Sequence, residues 1–302
     1  MSLIECVPNF SEGRRPEVVD EIVAAIAGVE GVEVLDRQSD PAHNRSVITF
    51  VGQEGAAAEA AFRGVAAAAR LIDLNEHEGA HPRFGAADVV PFVPVAEGDM
   101  AVCVAIAREL ARRVARELAI PVYLYEEAAL RPEHRNLADA RRGEFEGLRE
   151  AIVADPARRP DEGEAKVHPT AGAVAIGARA PLIAYNVNLV SPDVELARRI
   201  AREIRERDGG LPRLKAIGLA LEDGRAQVSM NLTDYRVTSP LDAFEAVRSR
   251  AEAAGVRVAE SEVVGLLPQD ALVRLARAVL KADAFDHEQV LEARVLDILL
   301  RA

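Results

Sequence analysis

The chain has 302 residues, 49% hydrophobic and 28% charged, with a formal net charge of -12. That length can bury a large core and favours two domains, the acidic balance argues against nucleic-acid binding, and no apolar stretch reaches membrane-spanning length. Two cysteines, Cys6 and Cys103, are too few for a disulfide framework, and the N-terminus MSLIECVPNF lacks a basic n-region and a long h-region, so a reduced, cytoplasmic protein without a signal peptide is expected.

Leu3 to Val7 predicts a short apolar strand, with Cys6 as core, and Pro8 to Gly13 a loop rich in turn formers. Pro16 to Ala27 predicts a helix, because Val18, Val19, Ile22, Val23 and Ile26 fall on one face and Pro16 suits a first turn. Val32 to Leu35 reads as a strand, Ser39 to Asn44 as a polar turn, and Arg45 to Val51 alternates as a strand. An Ala-rich helix over Glu54 to Leu71 and a strand over Ala87 to Val93 complete the order βαββαβ. The same order returns in strands at Leu182 to Val190, Leu214 to Leu221, Gln227 to Leu232 and Val256 to Val264, with helices at Pro192 to Arg207 and Leu241 to Ala254. Asp223-Gly224 marks the hairpin.

The fold expected is therefore α+β: two ferredoxin-like (βαββαβ) subdomains, each an antiparallel sheet covered on one face by helices. Their boundaries are placed at 1–178 and 179–302. Between the repeats stand helices over Glu97 to Leu118 and Glu144 to Ala154 and a short strand, Pro121 to Tyr125. The proline-broken stretch Asp155 to Gly163 reads as a linker or exposed loop. Helices at Gln269 to Ala282 and His287 to Leu300 are expected to pack on the second half.

The segment EHEGAHPRFGAADVVPFVP, from Glu76 to Pro94, is the richest in chemistry. His77 to His81 spells H-E-x-x-H, but Gly79 weakens a helix there and Pro82 biases His81 away from helical backbone, which argues against a zinc peptidase, and no metal is expected. Asn9, Asn44, Arg45, His81, Arg83 and Asp88 form the candidate polar set, although the topology alone does not prove that their loops converge. Only Lys166, Lys215 and Lys281 are lysines, so an anionic ligand must meet arginine.

Glu5-Cys6-Val7-Pro8-Asn9-Phe10-Ser11-Glu12-Gly13, the H-x-G-x-H-P-R-x-G-A-x-D run from His77 to Asp88, Pro121 to Tyr125 and Asn186-Val187-Asn188-Leu189 together resemble the glutamate formimidoyltransferase family, the formiminotransferase part of formimidoyltransferase-cyclodeaminase. The resemblance runs from about residue 3 into the C-terminal region and includes no cyclodeaminase part. It implies transfer of a formimidoyl group from N-formimidoyl-L-glutamate to tetrahydrofolate as co-substrate. It also implies folate in a groove between the subdomains and a homodimer. The family's catalytic histidine matches His81, expected to act as base and then acid. Arg45 and Arg83 suit the substrate carboxylates. Asn9 and Asn44 suit the amidine or pterin, with turn formation an equal account of each, and Asp88 suits a cationic intermediate or the orientation of the loop. His77 stands as either a partner of the site or a plain loop residue.

The family's folate-binding stretch matches Gly163, Glu164, Ala165, Lys166, Val167, His168, Pro169, Thr170, Ala171 and Gly172. The family's aromatic and serine residues are replaced there by Lys166 to Thr170, which removes an aromatic for pterin stacking and offers Lys166 or His168 to the glutamyl tail. Gln38 stands where the family pattern carries an acid. These departures leave two alternatives: formyl transfer between folate and glutamate, and a non-catalytic folate-binding homologue.

Overall fold

The structure is a computed structural model that describes residues 2–41, 43–79, 82–95, 99–221 and 223–299, without the side chains of 297–299. The chain forms two compact units, Met1–Ala180 and Pro181–Ala302.

The first unit opens with β1 (Leu3–Cys6) and β2 (Asn9–Phe10), two pieces of one strand separated by Val7 and Pro8. Pro8 has no N–H to donate, so the ladder breaks there. Its carbonyl still accepts from Ile48 N–H at 3.1 Å, and pairing resumes. Asn9 and Phe10 are therefore strand where the turn-forming composition predicted loop. Then follow α1 (Pro16–Ala27), β3 (Val32–Asp40), β4 (Arg45–Gln53), α2 (Glu54–Leu71) and β5 (Ala87–Pro94). Val18, Val19, Ile22 and Ile26 of α1 are buried as the periodicity predicts. Alanines on α2 let the two helices approach closely: a Cβ on Gly64 would lie 3.2 Å from the Ile26 side chain. The strand predicted over Val32 to Leu35 continues to Asp40, because its polar residues line a strand that pairs with β4 down to Asp40 opposite Arg45.

Beyond β5 come α3 (Met100–Leu118), β6 (Val122–Glu126), α4 (Pro132–Arg135), α5 (Leu137–Ala140), α6 (Glu144–Ala154) and β7 (Val174–Ala178). Residues 97 and 98 of the predicted third helix lie outside the described residues. β7 runs parallel to both β5 and β6. The first sheet is therefore a mixed sheet of seven strands, running β3, β4, β1 with β2, β5, β7, β6, and not the antiparallel sheet expected. The sequence VAIGA of β7 is short, small and wholly buried, so it carries no alternation to mark it.

The stretch read as a linker is also pinned. Glu162 C=O accepts from Val122 N–H at 2.9 Å, and Tyr123 Oη donates to Arg158 C=O at 2.6 Å. Asp161 Oδ2 accepts from Leu124 N–H at 2.9 Å and stands 2.6 Å from Nδ1 of the buried His134. Burial pushes the Cys6 and Cys103 thiols up, Cys103 to about 12, which suits inert core residues.

The second unit contains β8 (Ile183–Leu189), α7 (Val194–Ile204), β9 (Leu214–Ala220), β10 (Ala226–Leu232), α8 (Pro240–Ala253), β11 (Val258–Val264), α9 (Gln269–Leu280) and α10 (Leu291–Leu299). Its sheet is antiparallel throughout, in the order β11, β8, β10, β9. Tyr185, Val187 and Leu189 join the core with Ile200 and Val247, while Asn186 and Asn188 alternate onto the opposite face. α9 contributes Ala271 to this core. α10 leaves Leu291, Val295 and Leu296 exposed.

Candidate functional site

Asn44 sits where three loops of the first unit meet. One follows β2, the second is the turn between β3 and β4, and the third follows α2. Asn44 joins all three. Its Oδ1 accepts from Gly13 N–H at 2.9 Å, and its Nδ2 donates to Glu78 C=O at 2.9 Å. The residue is buried and holds φ at 48°, a left-handed turn conformation that asparagine tolerates. The glycines explain how the backbones come so close. A Cβ on Gly13 would lie 2.4 Å from Asp40 O, and one on Gly79 would lie 2.5 Å from His43 O. Topology left convergence open, and these contacts settle it for Asn44, Arg45 and the histidine segment.

Glu12 fixes the first loop. Its Oε1 accepts from the N–H groups of Arg14 and Arg15 at 2.8 and 2.9 Å, and Oε2 accepts from Arg15 Nε. Burial alone would raise this carboxyl, but the Arg15 and Arg14 amides and the Arg15 guanidinium together outweigh it and lower it. Glu12, Arg14, Arg15, Asn44, Asp73 and His77 help to line a cavity of about 330 Å³. Ser11 links this loop to the next, its hydroxyl donating to Gly85 C=O at 2.7 Å.

His81 and Ala80 lie outside the described residues, but the segments on both sides are described. Residues 77–79 are not helical, so the helix that a zinc peptidase needs is missing from that stretch. His77 Nε2 stands 3.0 Å from Asn44 C=O, which can only accept, so Nε2 carries the proton. Nδ1 in turn accepts from Arg83 Nε at 3.3 Å. Both ring nitrogens are thus committed, and His77 is a buttress in one fixed tautomer. Arg83 also donates to Glu146 at 2.7 and 2.9 Å and to Glu144 at 3.3 Å. The bonds to Glu146 raise its pKa above the ordinary arginine range. Its charge is largely answered by the start of α6.

Asp88 is buried, and each of its oxygens has a partner. Oδ1 accepts from Phe84 N–H at 2.9 Å and Oδ2 from Arg141 Nη1 at 2.5 Å. Arg45 shares this neighbourhood: burial lowers its pKa, Asp40 and Asp88 pull it back up, and Arg141 pushes it further down. Asn9 sits opposite Val47 in the ladder, two positions along β4 from Arg45 and so on the same face of the sheet. Its Nδ2 donates to Val7 C=O at 3.1 Å.

The stretch from Gly163 to Gly172 folds against this site. His168 and Gly172 exchange backbone hydrogen bonds of 3.0 and 3.1 Å, closing a tight turn. His168 Nδ1 accepts from Ala171 N–H at 3.0 Å, and burial lowers its pKa, so the ring is held neutral. Ala86 N–H donates to Ala171 C=O and Ala173 N–H to Phe84 C=O, at 2.9 and 2.8 Å. Leu74 N–H reaches Thr170 C=O at 2.9 Å. The predicted folate stretch therefore borders the segments before and after His81. Gln38 lies within β3 opposite Val47. Glu12 and Arg141 were missed as site residues. Glu12 had a signal, an acid placed just before a helix start, whereas nothing local marks Arg141.

Among the described residues, no three or more His, Cys, Asp or Glu are grouped to hold a metal ion, and no helix is long and apolar enough to cross a membrane. Buried charged and polar side chains fixed in converging loops give this α+β scaffold a candidate active site. Family comparison makes that reading specific. A model described as "Formiminotransferase domain, N-terminal subdomain" matches residues 3–179, and one described as "Formiminotransferase domain" matches residues 184–297. A "Glutamate formimidoyltransferase" of Thermoplasma acidophilum is 50% identical over 98% of this chain and 98% of its own length. One of Streptococcus pyogenes serotype M1 is 46% identical over 97% and 99%. "Formimidoyltransferase-cyclodeaminase" of Mus musculus is 43% identical over 91% of this chain and 52% of that protein. The chain belongs to the formiminotransferase family.

Proposed function

We infer that this protein is a folate-dependent enzyme of histidine degradation. It moves the formimidoyl group of N-formimidoyl-L-glutamate to N5 of tetrahydrofolate, yielding 5-formimidoyltetrahydrofolate and L-glutamate. The observation that carries this reading is near-full-length kinship, at about half identity, to relatives bearing that name.

N5 attacks the amidine carbon, and the new C–N bond forms as N5 gives up its proton. The bond from that carbon to the glutamate nitrogen then breaks as the nitrogen gains a proton. His81 takes the first proton and returns it in the second step, which one imidazole titrating near neutrality can do. Supporting this role, Pro82 and Arg83 follow it directly, and Asn44 anchors Glu78 just before it. Arg45 offers its guanidinium to a substrate carboxylate, and Asn9, on the same face, orients the amidine. Arg83, spent on Glu146 and His77, acts as a positioning residue. Asp88 favours the cationic intermediate while shaping the loop through Phe84. Residues 163–172 hold the folate, with Lys166 and His168 toward its glutamyl tail.

The strand order supports a ferredoxin-like core in each unit, since β3, β4, β1 with β2, β5 repeats the order β9, β10, β8, β11. We place the protein in the cytoplasm as a homodimer. The test is a paired assay of wild type and His81→Ala with tetrahydrofolate and N-formimidoyl-L-glutamate, following both products. The variant should lose roughly 10²–10⁴-fold in rate while still binding folate. A wild type that binds folate yet forms no product would overturn the reading and direct attention to formyl donors.

A further inference from the structure

α6 belongs to no motif of the sequence, yet two segments of the proposed site are tied to it. Phe145, Leu148 and Ile152, at helical spacing, bury one stripe of the helix in the same core as Phe84 and Leu74. The helix is thereby fixed as a body. Its first turn holds the loop that carries His81. Phe145 N–H donates to Arg83 C=O at 3.0 Å, and the Arg83 guanidinium donates to Glu146 at 2.7 and 2.9 Å and to Glu144 at 3.3 Å. Arg83 stands two residues beyond His81 in the chain.

The next turn of α6 holds the folate stretch. Arg149, four residues after Phe145 and so on the same face, lies over the Phe145 ring at 4.2 Å. Its Nη2 donates to Asn75 Oδ1 and reaches Pro169 C=O at 3.5 Å. Asn75 spends its amide here as well: Nδ2 donates to Pro169 C=O at 3.0 Å and to Asp73 Oδ1 at 2.6 Å. Leu74 N–H takes the next carbonyl, that of Thr170, at 2.9 Å. Three donors from two segments therefore converge on two consecutive carbonyls of the turn over 168–172. Arg149, Asn75 and Pro169 are exposed, so these bonds add little to global stability. What they set is the place of the turn relative to α6.

We propose that the first two turns of α6 keep the loop of His81 and the turn over 168–172 in register, and that Arg149 is a positioning residue for the tetrahydrofolate co-substrate. This rests on the reading above that residues 163–172 hold folate. Arg45 and Asn9, assigned above to the formimidoyl donor, belong to β4 and β2. Removing Arg149 therefore acts on one substrate and spares the other.

The test compares Arg149→Ala and Arg149→Lys with wild type. In Arg149→Ala, KM for tetrahydrofolate should rise roughly 3- to 10-fold, the equivalent of about one hydrogen bond. KM for N-formimidoyl-L-glutamate should stay within about twofold, as expected for uniform binding lost on one substrate only. Lysine still lies over Phe145 and donates to one acceptor, so Arg149→Lys should return to within about threefold of wild type. Both variants should keep the wild-type unfolding midpoint, because the side chain is exposed. A KM for tetrahydrofolate that stays at the wild-type value in Arg149→Ala, or that rises in step with the donor KM, would overturn the proposal and leave Arg149 a surface contact. Amide exchange in wild type, with and without tetrahydrofolate, separates the two failures. Folate that protects residues 163–172 yet binds Arg149→Ala as it binds wild type sinks the positioning role alone. Folate that leaves those amides unprotected sinks the assignment of residues 163–172, and the positioning role with it.

Discussion

Replacing Asn44 by alanine tests the idea that one side chain knits the site together. Two hydrogen bonds of 2.9 Å disappear, leaving Gly13 N–H and Glu78 C=O without those partners in a partly buried setting. At about 1 kcal/mol per bond the loss is roughly 2 kcal/mol. Alanine must also hold φ at 48°, which costs about 1 kcal/mol more than asparagine does. The total is then about 3 kcal/mol. Glycine loses the same two bonds without the backbone cost, so Asn44→Gly should be about 1 kcal/mol more stable than Asn44→Ala. Urea unfolding that resolves the first unit, with amide exchange at Gly13, measures both. Activity should fall as well, by up to about 10²-fold, because loops that shift by an ångström misplace the reacting groups. An Asn44→Ala protein within about 0.5 kcal/mol of wild type, the range of an inconsequential surface change, would refute the brace.

Three more expectations follow from the same geometry. Glu12 has a folded pKa below its unfolded value of 4.5, so its contribution is fully present above that pH and is lost as pH falls through the folded value. Glu12→Gln should therefore lower stability at neutral pH and flatten the acid limb of an unfolding-against-pH profile. Gly172 holds φ at +73°, and a Cβ there would lie 2.2 Å from Phe84 O. Gly172→Ala should cost more than about 2 kcal/mol and release exchange protection at Ala86 and Ala173, as read by thermal unfolding and amide exchange. The folded pKa of His168 lies below its unfolded 6.5, so its cap on Ala171 N–H is complete above pH 6.5 and is lost as pH falls toward the folded value. Folate affinity should hold down to pH 6.5 and weaken only as pH falls through the lower folded value, and His168→Asn, which keeps an acceptor but does not titrate, should remove that weakening.

What could be read from the sequence was set by how local the signal was. α2 and β5 announce themselves by composition and apolar run within their own residues. Asn9-Phe10 did not, because its pairing comes from β4 and β5, and local turn propensity pointed the other way. Asp155 to Gly163 looked like a linker because its ties, from Tyr123 and His134, come from residues far away in sequence. β7 is a short buried run between parallel neighbours, which no periodicity distinguishes. At the site, the family motif carried His81 and Arg83 by position, while polar content alone marked Asn44. Their division of labour depends on partners such as Glu146 and Glu78, which the motif does not name.

That division of labour follows from counting donors and acceptors. His77 and Arg83 stand in the same motif as His81, and each has its polar atoms committed within the protein. A group whose hydrogen-bonding capacity is spent internally can fix geometry but has little left for a substrate.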